Sequence, residues 1–91
     1  MSKKIFKIVT ISGSVYPVEK DEHVIGNPEW SIERKGKKRK ITAITKQANL
    51  QEAIDSSRKP WEFDKKLIPG NIIWYGELSH TSRIKSVKKV A

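Results

Sequence analysis

Ninety-one residues, 36% hydrophobic and 32% charged, suit one small domain with a modest core, since a chain this short buries about 60 to 65% of the surface its unfolded form exposes. The absence of cysteine excludes disulfides, thiolate metal sites and a cysteine nucleophile, so packing alone must hold the fold. The formal net charge of +9 is uneven: residues 1–33 sum to −1 (four Lys, five acids), 34–40 to +6, 41–82 to zero (five and five) and 83–91 to +4.

Residues 4–11 are β-branched and aromatic at a density that predicts a strand, and Ser12-Gly13-Ser14 a turn. Residues 15–18 continue extended, with Pro17, which lacks a backbone donor, expected at a sheet edge or beside a bulge. Residues 19–23 read as a solvated connection and Asn27-Pro28 as a turn. Trp30 and Ile32 alternate with polar partners, which predicts a strand over 29–34, and Lys40–Thr45 is again β-prone. Gly36 between them can supply the positive φ of a tight hairpin, so the basic run forms the tip and flanks of a two-stranded ribbon.

Asn49 followed by Glu52 resembles a capping pair and opens a predicted helix over 48–58, with Leu50, Ala53 and Ile54 on the stripe expected to dock on the sheet. Pro60 stops it, and 60–70 reads as a loop carrying Trp61 and Phe63. A strand is expected over 71–78 and a turn over 79–82; over 83–90 Ile84, Val87 and Val90 fit a helical spacing, but β-branching favours a strand. The fold class is therefore α+β: a small, mostly antiparallel sheet or partly closed barrel of about five to six strands with one short helix packed on it, forming a single basic domain over 1–91.

Arg34-Lys35-Gly36-Lys37-Lys38-Arg39-Lys40 carries six cations and no acid. Such a cluster repels itself in water and is relieved by an anionic partner, of which nucleic-acid phosphate is the first choice, DNA or RNA alike, because cations that meet phosphates release condensed counterions. If all six met duplex DNA, log K would fall with log salt at a slope of roughly −5. A two-stranded ribbon also fits the major groove. Arg83, Lys85 and Lys89 would share one face of a C-terminal strand and extend this surface, with Lys88 on the other face beside Ile84 and Val90.

Trp61, in the loop, is the candidate for stacking on unpaired bases or for covering the helix C-terminus, whereas Trp30 and Trp74 are expected in the core. His23 and His80 read as loop and turn residues, tied by spacing to no nucleophile, and two histidines without cysteine give no metal-ligand pattern. No cofactor, metal or catalytic activity is expected. The alternative partner is a larger protein with an acidic or nucleic-acid-binding surface, on which a small accessory or inhibitor protein of phage or plasmid type would dock the ribbon. Uncharged runs such as Leu67–Gly76, ten residues, are about half the roughly 20 a bilayer span takes. Lys7 interrupts the apolar N-terminus and no small-residue cleavage site follows, so the expectation is a cytoplasmic protein with no membrane partner.

Overall fold

A computed structural model describes residues 3–22, 26 and 28–90. The expectations for His23 and for Asn27 fall outside them. Seven strands form one antiparallel sheet: β1 (Lys3–Thr10), β2 (Val15–Asp21), β3 (Glu29–Arg34), β4 (Lys37–Thr45), β5 (Ile72–Tyr75), β6 (Ser79–His80) and β7 (Ile84–Lys89). Their spatial order is β6-β5-β4-β3-β2-β1-β7. The sheet curls into a half-barrel, and its two ends approach where Gly70 donates to the Ile84 carbonyl (2.8 Å) and Ile84 to the Asn71 carbonyl (2.8 Å). Two short helices, α1 (Leu50–Ser57) and α2 (Phe63–Lys66), complete the fold, the second preceded by a 3-10 turn over Pro60–Glu62.

Alternation sorts the sheet into two faces. The inner face of β1 to β3 carries Phe6, Ile8, Tyr16, Val18, Lys20, Trp30 and Ile32, which meet across the registers Ile8↔Tyr16, Phe6↔Val18, Lys20↔Trp30 and Val18↔Ile32. The core joins these to Ile41, Ile44, Ile73, Tyr75 and Ile84, with Phe63 and Leu67 packed in from α2 and the loop after it. Trp30 anchors one side, stacked on Phe6 at 5.9 Å and edge-on to Phe63 at 6.3 Å. Trp74 points the other way, to a second cluster with Ala43 and Ala53 that seats α1 on the outer face.

Several expectations need correction. Among the described residues the sheet has seven strands rather than five or six, and two helices accompany it rather than one. β2 continues through Glu19, Lys20 and Asp21, because Lys20 fills an inner position while its acidic neighbours face outward. Pro17 lies in an interior strand of the sheet, yet the β2–β3 ladder stops at Val18↔Ile32, one residue short of it, so no neighbour asks for the missing donor. The segment expected as a loop over 60–70 folds partly as helical turns, since Phe63 must reach the core. β5 ends at Tyr75, where Gly76 adopts φ +63 and turns the chain into β6, so Ser79 and His80 are strand.

The helix α1 begins as its cap predicts: the Asn49 side chain accepts from the Gln51 N–H (2.8 Å) and the Glu52 N–H (3.3 Å). Its buried face differs from the apolar stripe, with Leu50 54% and Ile54 39% exposed while Ala53 and Ser56 are buried. The reason lies in β4. On its β3 side Ile44 lies beyond the β3–β4 ladder, though β5 flanks it at Ile73, and the Ser56 hydroxyl accepts from its N–H (3.0 Å) and donates to its carbonyl (3.1 Å). Satisfying two buried backbone groups outweighs burying two partly exposed aliphatics at a helix surface.

Candidate nucleic-acid interface

Arg34 and Lys37 pair across a two-residue loop, Lys35-Gly36, in which both residues have positive φ (52° and 78°). That is the type I′ hairpin turn, whose twist matches that of the flanking strands. Asn-Gly is the sequence such a turn prefers, so Lys35 holds a left-handed conformation at a cost of about 1 kcal/mol and keeps a cation at the tip. The ribbon expected from the sequence is therefore present, and its basic residues start β4 itself at Lys37 rather than at Lys40.

Register divides the six cations. Arg34, Lys37 and Arg39 lie on the inner face, because Ile32↔Arg39 and Arg34↔Lys37 are partners and Ile32 is in the core. Lys38 and Lys40 lie on the outer face, partnered by Glu33 and Ser31. Two of the six are engaged by side chains of the described residues. Arg34 donates to the Tyr75 hydroxyl, with its guanidinium 5.9 Å from the ring centroid. Lys38 forms an ion pair with Glu19 at 2.8 Å, and Lys3 joins the same carboxylate at 3.6 Å. The Lys38 ammonium holds the Glu19 carboxyl below its ordinary pKa, and the carboxylate in turn raises that of Lys38.

Lys35, Lys37, Arg39 and Lys40 have no ion-pair partner among the described residues. Four residues of the run, Arg34, Lys35, Lys37 and Arg39, line an open basin of about 400 Å³ together with Tyr75 and Ser79. Gly76 lies close to Arg39, with a Cβ there standing 4.0 Å from the guanidinium. The contact of Arg34 with Tyr75 is a hydrogen bond and not an ion pair.

The C-terminal cations stand apart from it. Arg83 donates to the carbonyls of Lys46 and Gly70 (2.9 Å) and to the Gln47 side chain (3.4 Å), tying the end of β4 to the start of β5. The hairpin is at the other end of β4, about 25 Å away along the strand. A bulge opposite Val9 and Thr10 inserts Lys85 into β7 and reverses the alternation after it. Lys88 therefore pairs with Lys7 on the outer face, away from Ile84, while Lys89 pairs with Phe6. Between β4 and β7 lie three strands, about 19 Å at the usual spacing. Lysines on an edge strand also discourage pairing with a second sheet, which accounts for Lys85, Lys88 and Lys89 locally.

Trp61 is 59% exposed on the 3-10 turn, and its neighbour Pro60 borders a cleft shared with Lys40. His80 lies against Trp74 with ring centroids 4.8 Å apart and serves as its cover. Two residues of the site, Tyr75 and Ser79, escape sequence reasoning. Both come from β5 and β6, and only the crossover that lays β5 against β4 brings them under the hairpin. Among the described residues no group of three His, Asp or Glu side chains is placed to hold a metal ion, and no helix is long and apolar enough to cross a membrane. Compared with known proteins, the chain matches no family, no curated protein and no solved structure.

Proposed function

We propose that this chain is a non-enzymatic nucleic-acid-binding module of the cytoplasm that neutralises backbone phosphates through the β3–β4 hairpin, with little sequence specificity. The observation that carries this reading is the set of three hairpin cations, Lys35, Lys37 and Arg39, that line one basin without an acidic partner among the described residues. Unpaired like charges on a rigid ribbon raise the free energy of the isolated protein and lower it on contact with an anion. Phosphate contacts position a protein on nucleic acid without reading bases, so broad binding follows. The test is the affinity for DNA and RNA as salt is varied, with Lys35, Lys37 and Arg39 replaced by Gln. Loss of binding with a preserved circular dichroism spectrum supports the reading, and unchanged affinity overturns it.

A second reading rests on Leu50 and Ile54, which share one face of α1 and remain in solvent. An exposed aliphatic pair suits docking on a larger protein, with the basic ribbon steering the approach to an acidic surface. A stoichiometric partner retained after nuclease treatment of a native lysate, and lost on Leu50→Ser with Ile54→Ser, distinguishes it.

A further inference from the structure

We propose that the hairpin binds phosphate through its inner face alone, and that its ligand is an unpaired strand lowered into the basin rather than a duplex laid along the ribbon. The inference rests on the nucleic-acid reading and narrows it.

Charge separates the two faces. On the outer face Lys38 and Lys40 stand among the carboxylates of Glu19, Glu29 and Glu33, and Lys38 is already bound to Glu19, which Lys3 also reaches. A phosphate approaching there meets carboxylates. On the inner side the basin is lined by Arg34, Lys35, Lys37 and Arg39 with no acid. It also offers two hydroxyls. Tyr75 accepts from Arg34, which leaves its own proton free to donate, and the Ser79 hydroxyl makes no hydrogen bond to the described residues. Two guanidiniums, two ammoniums and two hydroxyl donors around one recess are complementary to the oxygens of a phosphodiester.

Shape then selects the strand. The recess of about 400 Å³ lies within the roughly 300 to 1,000 Å³ typical of ligand sites, and it opens under an overhang, because β3 and β4 project past the last β2–β3 pair, Val18↔Ile32. A duplex carries its phosphates on a stiff convex cylinder and reaches Lys35 and the rim. A ribbon inserted into the major groove turns both faces toward phosphate rows, so the outer carboxylates of Glu29 and Glu33 would confront one of them. A single strand bends, and its phosphates can drop below the hairpin one at a time.

Fluorescence anisotropy tests this with labelled 12-mers of oligo-dT and oligo-U and a blunt 12-base-pair DNA duplex. The proteins are the native chain, Lys37→Gln with Arg39→Gln, and Lys38→Gln with Lys40→Gln, each pair removing two charges from one face. The expected result is single-strand binding at least tenfold tighter than duplex binding. The inner pair should lose at least tenfold and the outer pair less than threefold. Four phosphate contacts on a single strand correspond to a log K against log salt slope of roughly −3. Equal losses from the two pairs, or a duplex bound as tightly as the single strands, overturns the one-sided site while leaving the broader reading standing. Failure of every oligonucleotide to bind overturns both.

Discussion

Lys38 reaches diagonally over Ser31 to Glu19, two strands away, and places its Nζ 2.8 Å from Oε2. A serine at the intervening position of β3 leaves the path open, and the hairpin is thereby fastened to β2 by one of its own cations. The pair has a pH signature. Glu19 has its pKa lowered by Lys38 first, against the opposing effect of burial, with Lys3 assisting. A carboxyl whose folded pKa is depressed stabilises the fold above its unfolded value and loses that contribution as the pH falls through the folded one. Glu19→Gln is thus expected to lower the urea midpoint slightly at pH 7, with the difference from the native chain vanishing at pH values below the depressed pKa. A difference that stays constant down to acid pH contradicts this.

Lys20 is a charged residue on the inner face, with its side chain 7% exposed, 5.3 Å from the Trp30 ring centroid and bound to Asp64 and to Glu22 (3.4 Å). Burial disfavours its ammonium, but Asp64 and Glu22 outweigh burial and the pKa is raised. Its contribution is present below the unfolded value and is lost as the pH rises through the folded one. Asp64→Asn should cost about 1 to 2 kcal/mol, because it leaves a nearly buried ammonium with one partner, and it should move the onset of alkaline unfolding to lower pH. Trp30 fluorescence beneath the ammonium reports the transition. Coincident alkaline limbs for the two proteins would show that Asp64 does not hold Lys20.

The seat of α1 gives a sharp contrast. Ser56→Ala strands both backbone groups of buried Ile44 and is expected to cost about 1 to 3 kcal/mol, while Leu50→Ser, at an exposed position, should stay within about 0.5 kcal/mol. Denaturant midpoints of the two variants decide the matter. If Leu50→Ser proves the more damaging, the helix buries its aliphatic stripe and the contact through Ser56 is wrong.

Lys35 holds a left-handed φ of 52°. Lys35→Asn suits the type I′ turn better and should raise stability by up to about 1 kcal/mol, or some 4 to 8 °C in Tm for a chain of this size, while weakening nucleic-acid binding at low salt. A gain in stability without a loss of affinity would mean that the tip cation takes no part in binding.

The strands rich in β-branched residues were legible because period-two patterns and a hairpin glycine act locally. β1, the hairpin and β7 follow from residues within a few positions of one another. What local pattern could not show depends on distant partners. The burial of Lys20 requires Asp64, 44 positions on, and the face of α1 is fixed by the backbone of Ile44, which β3 does not reach, rather than by its own aliphatics. The direction of Lys88 depends on a bulge that no composition signals. In the candidate site, the basic residues and the hairpin that carries them were readable as a charge run around a glycine. Their division between two faces, the neutralisation of Lys38 by Glu19 and the basin wall of Tyr75 and Ser79 were set by strand order, as was the diversion of Arg83 to backbone carbonyls.

The most direct test of the central claim is the salt dependence of binding to a single-stranded oligonucleotide, measured for the native chain and for Lys35→Gln, Lys37→Gln and Arg39→Gln combined. The hairpin account predicts a slope of log K against log salt of roughly −3 for the native chain, collapsing to about −1 or flatter in the variant, whose circular dichroism spectrum is unchanged. A native slope near zero, or a slope and affinity that survive the three substitutions, contradicts it.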